Sequence, residues 1–439
     1  MNKTLSKTWY KRMNKRLSKI MISVWVILAL CSWNVFAQEL ENWSRFRGPN
    51  GQGVSAASDL PLQWSAEENI AWKTEIPGEG WSSPVIWNDH IFLTSAAEEG
   101  KNCHVIAVSR KTGKILWDKM VFTQEPQFKH PKNSFATPTP VTDGLAVYAV
   151  FGSGGFIALD FNGNKIWSNQ ELHYYSQHGL GTSPILYHDL LVIAINPSNR
   201  EEPKRLGWQD PWDQSYLLAL DKKTGQERWR GKRGMSKIGH ATPAIIQVDG
   251  KDQIVSPVGD VIQGFDPVNG KLIWTIKSPG EPVVPSPAIG DGLVYTAPMP
   301  SDAIRAVRTN GTGDCTETHI AWEQKRNVPK MASFLYVKPC LYAANDNGSF
   351  SAYDAETGEF LWQKRLSGAL NPSPLYADGK IYVLSELGTT TVLKPAANPK
   401  EPPEIVAENE LGEHTLASMA VAGKQLFIRT DHHLWCIGK

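Results

Sequence analysis

FIALDFNGNKIW, Phe156 to Trp167, is the stretch that decides the fold, because it recurs. It returns as VIAVSRKTGKILW ending at Trp117, LLALDKKTGQERW at Trp229, VIQGFDPVNGKLIW at Trp274 and FSAYDAETGEFLW at Trp362. In each copy a glycine stands four residues before the tryptophan: Gly113, Gly163, Gly225, Gly270 and Gly358. A constant distance from turn to tryptophan marks one structural unit used repeatedly. Alternating apolar residues before the turn read as a strand. Asp-x-x-Thr-Gly or Asp-x-Asn-Gly is hairpin chemistry, in which Gly takes positive φ and the Asp carboxylate accepts from turn amides.

Upstream of each turn lies a second hairpin: SSPVIWNDHIFLTS from Ser82, PTPVTDGLAVYAV from Pro138, TSPILYHDLLVIAI from Thr182, PSPAIGDGLVYTA from Pro285 and NPSPLYADGKIYVL from Asn371. Two hairpins make a four-stranded sheet. The anchors Trp117, Trp167, Trp229, Trp274, Trp322 and Trp362 recur every 40 to 62 residues, the span of one propeller blade. Blade 5 is stretched around GTGDCTETH, and blade 7 lacks its tryptophan, with EIVAEN (Glu404 to Asn409) as outer strand. The tail from Ser418 to Gly438 supplies only three strands. Asn69 to Ile76, with its own anchor Trp72, supplies the fourth. The expectation is an all-β chain, a single eight-bladed β-propeller spanning 69–439 with 69–76 closing the last blade and a leader at 38–68.

At 439 residues and a net charge of +1, the chain carries no general attraction to nucleic acid or membrane. Its first 37 residues read separately. Seven Lys and Arg precede an apolar run, Ile20 to Cys31, and Val35-Phe36-Ala37 occupies the cleavage positions. This predicts a secretory signal peptide cut before Gln38 and a periplasmic or extracellular protein, with an uncleaved anchor as the alternative. Cys103, Cys315, Cys340 and Cys436 match no CxxC pair or metal knuckle. Their reading stays open between free buried thiols and a bridge, Cys315 to Cys340 being the foremost pair.

The copies of A-x-D-x-x-T-G-x-x-x-W, cleanest from Ala219 to Trp229, resemble the repeats of pyrroloquinoline-quinone-like (BamB-type) β-propellers. The leader WSRFRGPNGQGVS, from Trp43, and HPKNSFATPTPVTDG, from His130, resemble an exported bacterial subgroup of mostly unassigned activity. The resemblance implies either quinoprotein oxidoreduction or a scaffold in the cell envelope. The quinoprotein branch places a vicinal disulfide against its quinone, and this chain has no adjacent cysteines and no CxxCH haem motif. No quinone, metal or other cofactor is therefore expected, nor any catalytic residue. A G-x-S-x-G elbow, an H-E-x-x-H motif and a P-loop are equally missing from the sequence.

The strand order of a propeller puts the long insertions, Met120 to Ala136, Gln170 to Gly181 and Pro197 to Ser215, on one face, opposite the Asp-Thr-Gly turns. Long irregular loops in an economical repeat are where binding resides. The expected rim comprises His130, Asn133, Tyr174, His178, Trp208, Trp212, His240 and Arg429. Arg230, Arg233, Lys237 and Lys330 are expected to make its mouth cationic. Such a mouth suits an envelope protein or a glycan, so the function expected is a non-catalytic protein-binding scaffold, with a polysaccharide- or small-molecule-binding propeller or a quinoprotein-like oxidoreductase as alternatives. Nucleic acid is not an expected partner, and membrane only by way of one.

Overall fold

The computed structural model describes residues 42–280, 283–298 and 303–438. The signal-peptide reading of 1–37, and residues 38–41 of the leader, lie outside the described residues. Eight sheets follow one another, each built on four antiparallel strands. Their inner strands are Val85–Trp87, Val141–Thr142, Ile185–Tyr187, Ala244–Val248, Ala288–Gly290, Leu335–Val337, Leu375–Ala377 and Ala420–Ala422, which define blades 1 to 8. In blade 8 the chain supplies Ala420–Ala422, Gln425–Arg429 and His433–Ile437, and the outer strand is Ile70–Glu75, paired antiparallel with His433–Ile437. The first strand of the ring thus pairs with the last one and completes the sheet of blade 8.

The repeat motif explains how blades join. Ala107, Ala158, Ala219, Ala306 and Ala352 each stand directly opposite an anchor tryptophan, and a β-bulge follows in each pair. Directly opposed side chains are about 5 Å apart at Cβ, so a small residue there gives the indole room to lean across to the next blade. At Trp117, Trp167, Trp229 and Trp322 it covers the glycine of the next turn: a Cβ on Gly225 would sit 2.4 Å from Trp167, and one on Gly163 2.9 Å from Trp117. At Trp117, Trp167, Trp322 and Trp362 the indole N–H also donates to a turn carbonyl, Trp167 to Lys222 at 2.8 Å and Trp117 to Phe161 at 2.8 Å, whereas that of Trp229 is buried without a partner. Glycine at this position therefore does two things. It holds positive φ, +72° at Gly225, and it is the pad on which the neighbour's ring rests.

The exceptions obey the same rule. In blade 7 the opposed pair is Val392 with Ala407, the sizes exchanged, and no indole reaches out. Blade 5 has no Thr-Gly turn, and the stretch noted in its sequence folds back as Gly313–Asp314, a fifth strand parallel to the outer strand of blade 4. Trp274 is sealed beneath it at 1 % exposure and donates to Gln253 of its own blade at 2.8 Å. The outer strand of blade 1 runs Ile115–Thr123, so the first insertion begins after Thr123 and not at Met120. All four cysteines of the described ring are free and buried, which removes the Cys315 to Cys340 bridge.

Candidate functional site: an axial cup

Two residues before each inner strand stands a hydroxyl residue at the axis: Ser83, Thr139, Ser183, Thr242, Ser286, Ser333, Ser373 and Ser418. The main-chain N–H of each donates to the hydroxyl of the next, from Ser83 to Thr139 at 2.9 Å around to Ser418, which returns to Ser83 at 3.1 Å. The result is a closed ring of hydrogen bonds, one per blade. A hydroxyl oxygen has two lone pairs and one proton, and the ring consumes one lone pair of each. The eight protons have no protein acceptor among the described residues.

This ring encircles a cavity of about 260 Å³ that opens between the long loops. Its opposite end is covered by the leader, which touches the inner hairpins of blades 1, 2, 5, 6, 7 and 8 through Asn42, Ser44, Gln52, Arg47, Gly53 and Asp59. The leader motif is self-packed: Trp43 lies across Gly48 and the Arg45 guanidinium across Gly51. Arg47, buried with its pKa lowered to about 9 by burial, donates to the carbonyls of Phe334 and Gln52. The motif WSRFRGPNGQGVS is thus a plug, and Phe46 reaches from it into the cavity. A channel has become a cup.

The wall of the cup comes from the insertions. The His130 N–H donates to the carbonyl of His178 at 3.2 Å, and the Asn133 side chain donates to the same carbonyl at 2.7 Å. His178 meets His130, Trp208 and His240 edge to face, with centroids 5.7 to 5.9 Å apart. Five of the candidate rim residues, His130, Asn133, His178, Trp208 and His240, therefore come together around one opening. His240 is the most enclosed. Both ring nitrogens are buried without a hydrogen-bond partner, and burial, reinforced by repulsion from His178 and His130, lowers its pKa to about 3. Burial and His130 lower His178 in the same direction. Among the described residues no group of three or more His, Cys, Asp or Glu is arranged to hold a metal ion.

The other three candidates lie elsewhere. Tyr174 is buried in the core of blades 2 and 3, its hydroxyl donating to Asn196 O at 3.2 Å. Trp212 folds back on its own insertion, over Gly207, and donates to Pro197 O at 3.0 Å. Arg429 is 1 % exposed and ties blade 8 to blade 1 through Ser82 Oγ at 2.6 Å and Thr94 O at 2.7 Å. Burial lowers its pKa to about 9. The cationic mouth is corrected for the same reason: Arg233 is buried and braces Asn196 and Ser256, Arg230 pairs with Glu227, and Lys330 pairs with Asp346. Among the described residues, the one cation lining the cup is Lys132, held by Glu386 at 3.1 Å.

The hydroxyl ring was missed in the sequence, although its mark is visible: a Ser or Thr before Pro84, Pro140, Pro184, Pro243, Pro287 and Pro374. Pyrroloquinoline quinone, which the repeat type suggests, fits this lining poorly. It is a tricarboxylate, and the described lining offers it neutral hydroxyls, the His240 imidazole whose burial disfavours its charged form, and one lysine already paired with a carboxylate.

Comparison with known proteins agrees on the architecture. The family model described as outer membrane protein assembly factor BamB matches residues 54–199, 213–338 and 317–398. Among solved structures, BamB from Moraxella catarrhalis superposes with a TM-score of 0.56 at 16 % identity, covering 84 % of this chain and 97 % of that one. Quinohemoprotein alcohol dehydrogenase from Comamonas testosteroni gives 0.62 at 12 %, covering 92 % and 82 %, and the designed Ika8 protein 0.58 at 11 %, covering 84 % and 100 %. At these identities the structural likeness speaks for the fold alone. No curated protein matches the sequence. With family matches over most of the ring, the chain belongs to the BamB-type family of pyrroloquinoline-quinone-like repeat propellers.

Proposed function

We propose that this chain is an exported, non-catalytic propeller that serves as a docking scaffold in the cell envelope, engaging its partner on the long-loop face and requiring no quinone. The observation that carries this reading is the rim itself. The insertions are not separate flaps: they are bonded into one another, His130 to His178, Gln177 N–H to Ser198 Oγ at 2.7 Å, and Trp212 to Ser236. A pre-organised surface loses little conformational entropy on association. Phe128 and Met235, exposed at 63 % and 61 % on loops of this face, supply apolar contact beside the opening. Membership in the family supports docking in general, and the export reading rests on the basic and apolar pattern of the first 37 residues.

The test is site-specific photo-crosslinking in the envelope fraction, with the crosslinker at Phe128 on the rim and, separately, at Lys223 in the opposite turn. Adducts from Phe128 and none from Lys223 are expected. Adducts from Lys223 alone, or a protein recovered wholly from the cytoplasm, overturn the reading.

A further inference from the structure

We propose that the axial cup binds one uncharged pyranose unit, either a free sugar or the end of a glycan. This goes beyond docking: it assigns a ligand class to the cup, and it stands on groups that the rim contacts do not use.

The cup holds polar groups that nothing in the protein satisfies, and they are of both kinds. The donors are the eight ring hydroxyls and the N–H of neutral His240. The acceptors are the second nitrogen of His240 and Asn371 Oδ1, both buried and unpartnered. The orientation of Asn371 is fixed by its amide nitrogen, which donates to Glu386. Reversing the amide would set its oxygen against that carboxylate. Buried polar groups cost free energy until they are paired, so the ligand must donate and accept within one small volume.

This requirement decides between ligand classes. An anion satisfies only the donors and confronts Asn371 Oδ1 and the imidazole lone pair with negative charge. A cation meets the reverse problem at the hydroxyl protons, and Lys132 and Glu386 already neutralise each other at 3.1 Å. A hydroxylated ring donates and accepts at every carbon-bound hydroxyl. Its C–H faces pack on apolar surface, which the cup supplies through Trp208, Trp81, Phe46 and Met331. The volume, about 260 Å³, lies just below the roughly 300–1,000 Å³ of pockets for larger organic ligands. The leader blocks passage out of the far side, so a glycan enters by its end.

Titration of the full-length protein, followed by tryptophan fluorescence and calorimetry, tests the assignment with glucose, galactose, mannose and N-acetylglucosamine, and with glucuronate and inorganic phosphate as charged probes. Saturable binding of at least one neutral sugar is expected, with the charged probes at least about tenfold weaker because they leave acceptors unpaired. His240→Phe and, in a second variant, Asn371→Leu should each weaken binding about tenfold or more, with Trp208→Ala as a third variant outside the blade core. A melting curve like that of the parent protein shows that each variant is folded. Comparing the methyl glycoside and an oligosaccharide of the binding sugar separates the sources: retention points to a glycan end, and loss to a free sugar. No saturable signal from any neutral sugar, or binding of glucuronate or phosphate alone, overturns the proposal. Neither result affects crosslinking at Phe128, so the two readings fail independently.

Discussion

Two circles of contacts hold this ring, and they are built from opposite chemistry. The outer circle is the set of tryptophans leaning onto the next blade's turn. The inner circle is the set of hydroxyls at the axis. Both repeat once per blade, but the outer one tolerates omission. Trp274 turns inward under an added strand, and blade 7 does without a tryptophan, Ala407 standing at the register position. The hydroxyl circle has no gap. Apolar packing can be redistributed among neighbours, whereas a main-chain N–H facing the axis must find an acceptor or remain orphaned. The outer circle supplies stability, and the inner one fixes the geometry of the cup.

The largest expected effect compares the tryptophan that left the outer circle with one that belongs to it. Trp274→Ala empties a site that is 1 % exposed and should cost about 3–5 kcal/mol, the range for deleting a buried aromatic. Trp229 is half-buried on Gly270, so Trp229→Ala should cost clearly less. Urea unfolding of both variants measures the difference. Equal losses would mean that the indoles act through something other than burial.

A second substitution probes the pad in place of the ring. Gly225 holds φ +72°, and a Cβ there falls 2.4 Å from Trp167, so Gly225→Val combines backbone strain with overpacking, about 2–4 kcal/mol together. Thermal melting with Gly250→Val as partner separates the two. Gly250 holds φ +74° with open space around its Cβ position, so it should show the strain alone. If both variants melt together, the pad contributes nothing.

The inner circle responds more weakly to a single change. Ser286→Ala removes the acceptor for the Thr242 N–H at 3.0 Å and should cost about 1–3 kcal/mol, the penalty of an orphaned buried donor. Ser286→Thr keeps the oxygen and should restore most of it. Chemical denaturation compares the pair. A loss with Thr as large as with Ala would show that shape at this position matters and the hydrogen bond does not.

The same contrast explains what the sequence made legible. Strand alternation, turn glycine and tryptophan lie within a dozen residues of one another, so five copies were enough to read eight blades. The hydroxyl ring joins residues one blade apart and, at its closure, Ser418 to Ser83. Its meaning exists only once the ring closes. The leader at 38–68 is legible as a motif but its place as a plug is not, since its partners lie around the ring. Tyr174, Trp212 and Arg429 were placed on the rim because they follow strands on the long-loop side. Whether a loop residue points into the opening or back into the protein depends on neighbours from other blades. For Arg429 the deciding neighbours, Ser82 and Thr94, lie at the other end of the sequence.

The smallest expected effect sits beside the inner circle, at His240 in the cup, and it is read through pH. Its folded pKa, about 3, lies below the value near 6.5 of an unfolded chain. Between these values the unfolded state binds the proton and the folded state does not, so stability must fall as the medium is acidified. The loss begins as pH drops through 6.5, grows by about 1.4 kcal/mol for each unit below it, and stops near the folded value, where both states are protonated. His178, lowered by burial and by His130, adds a contribution of the same sign. Melting at pH 7.5 and 5.5 should therefore show a drop of about 1.4 kcal/mol or somewhat more in the parent protein. His240→Gln should lose most of that dependence, because glutamine keeps polar character without a proton to take up in this range. A pH slope unchanged in His240→Gln would place the titration elsewhere. It would also show that the imidazole is not held neutral between the hydroxyl ring and the loop wall.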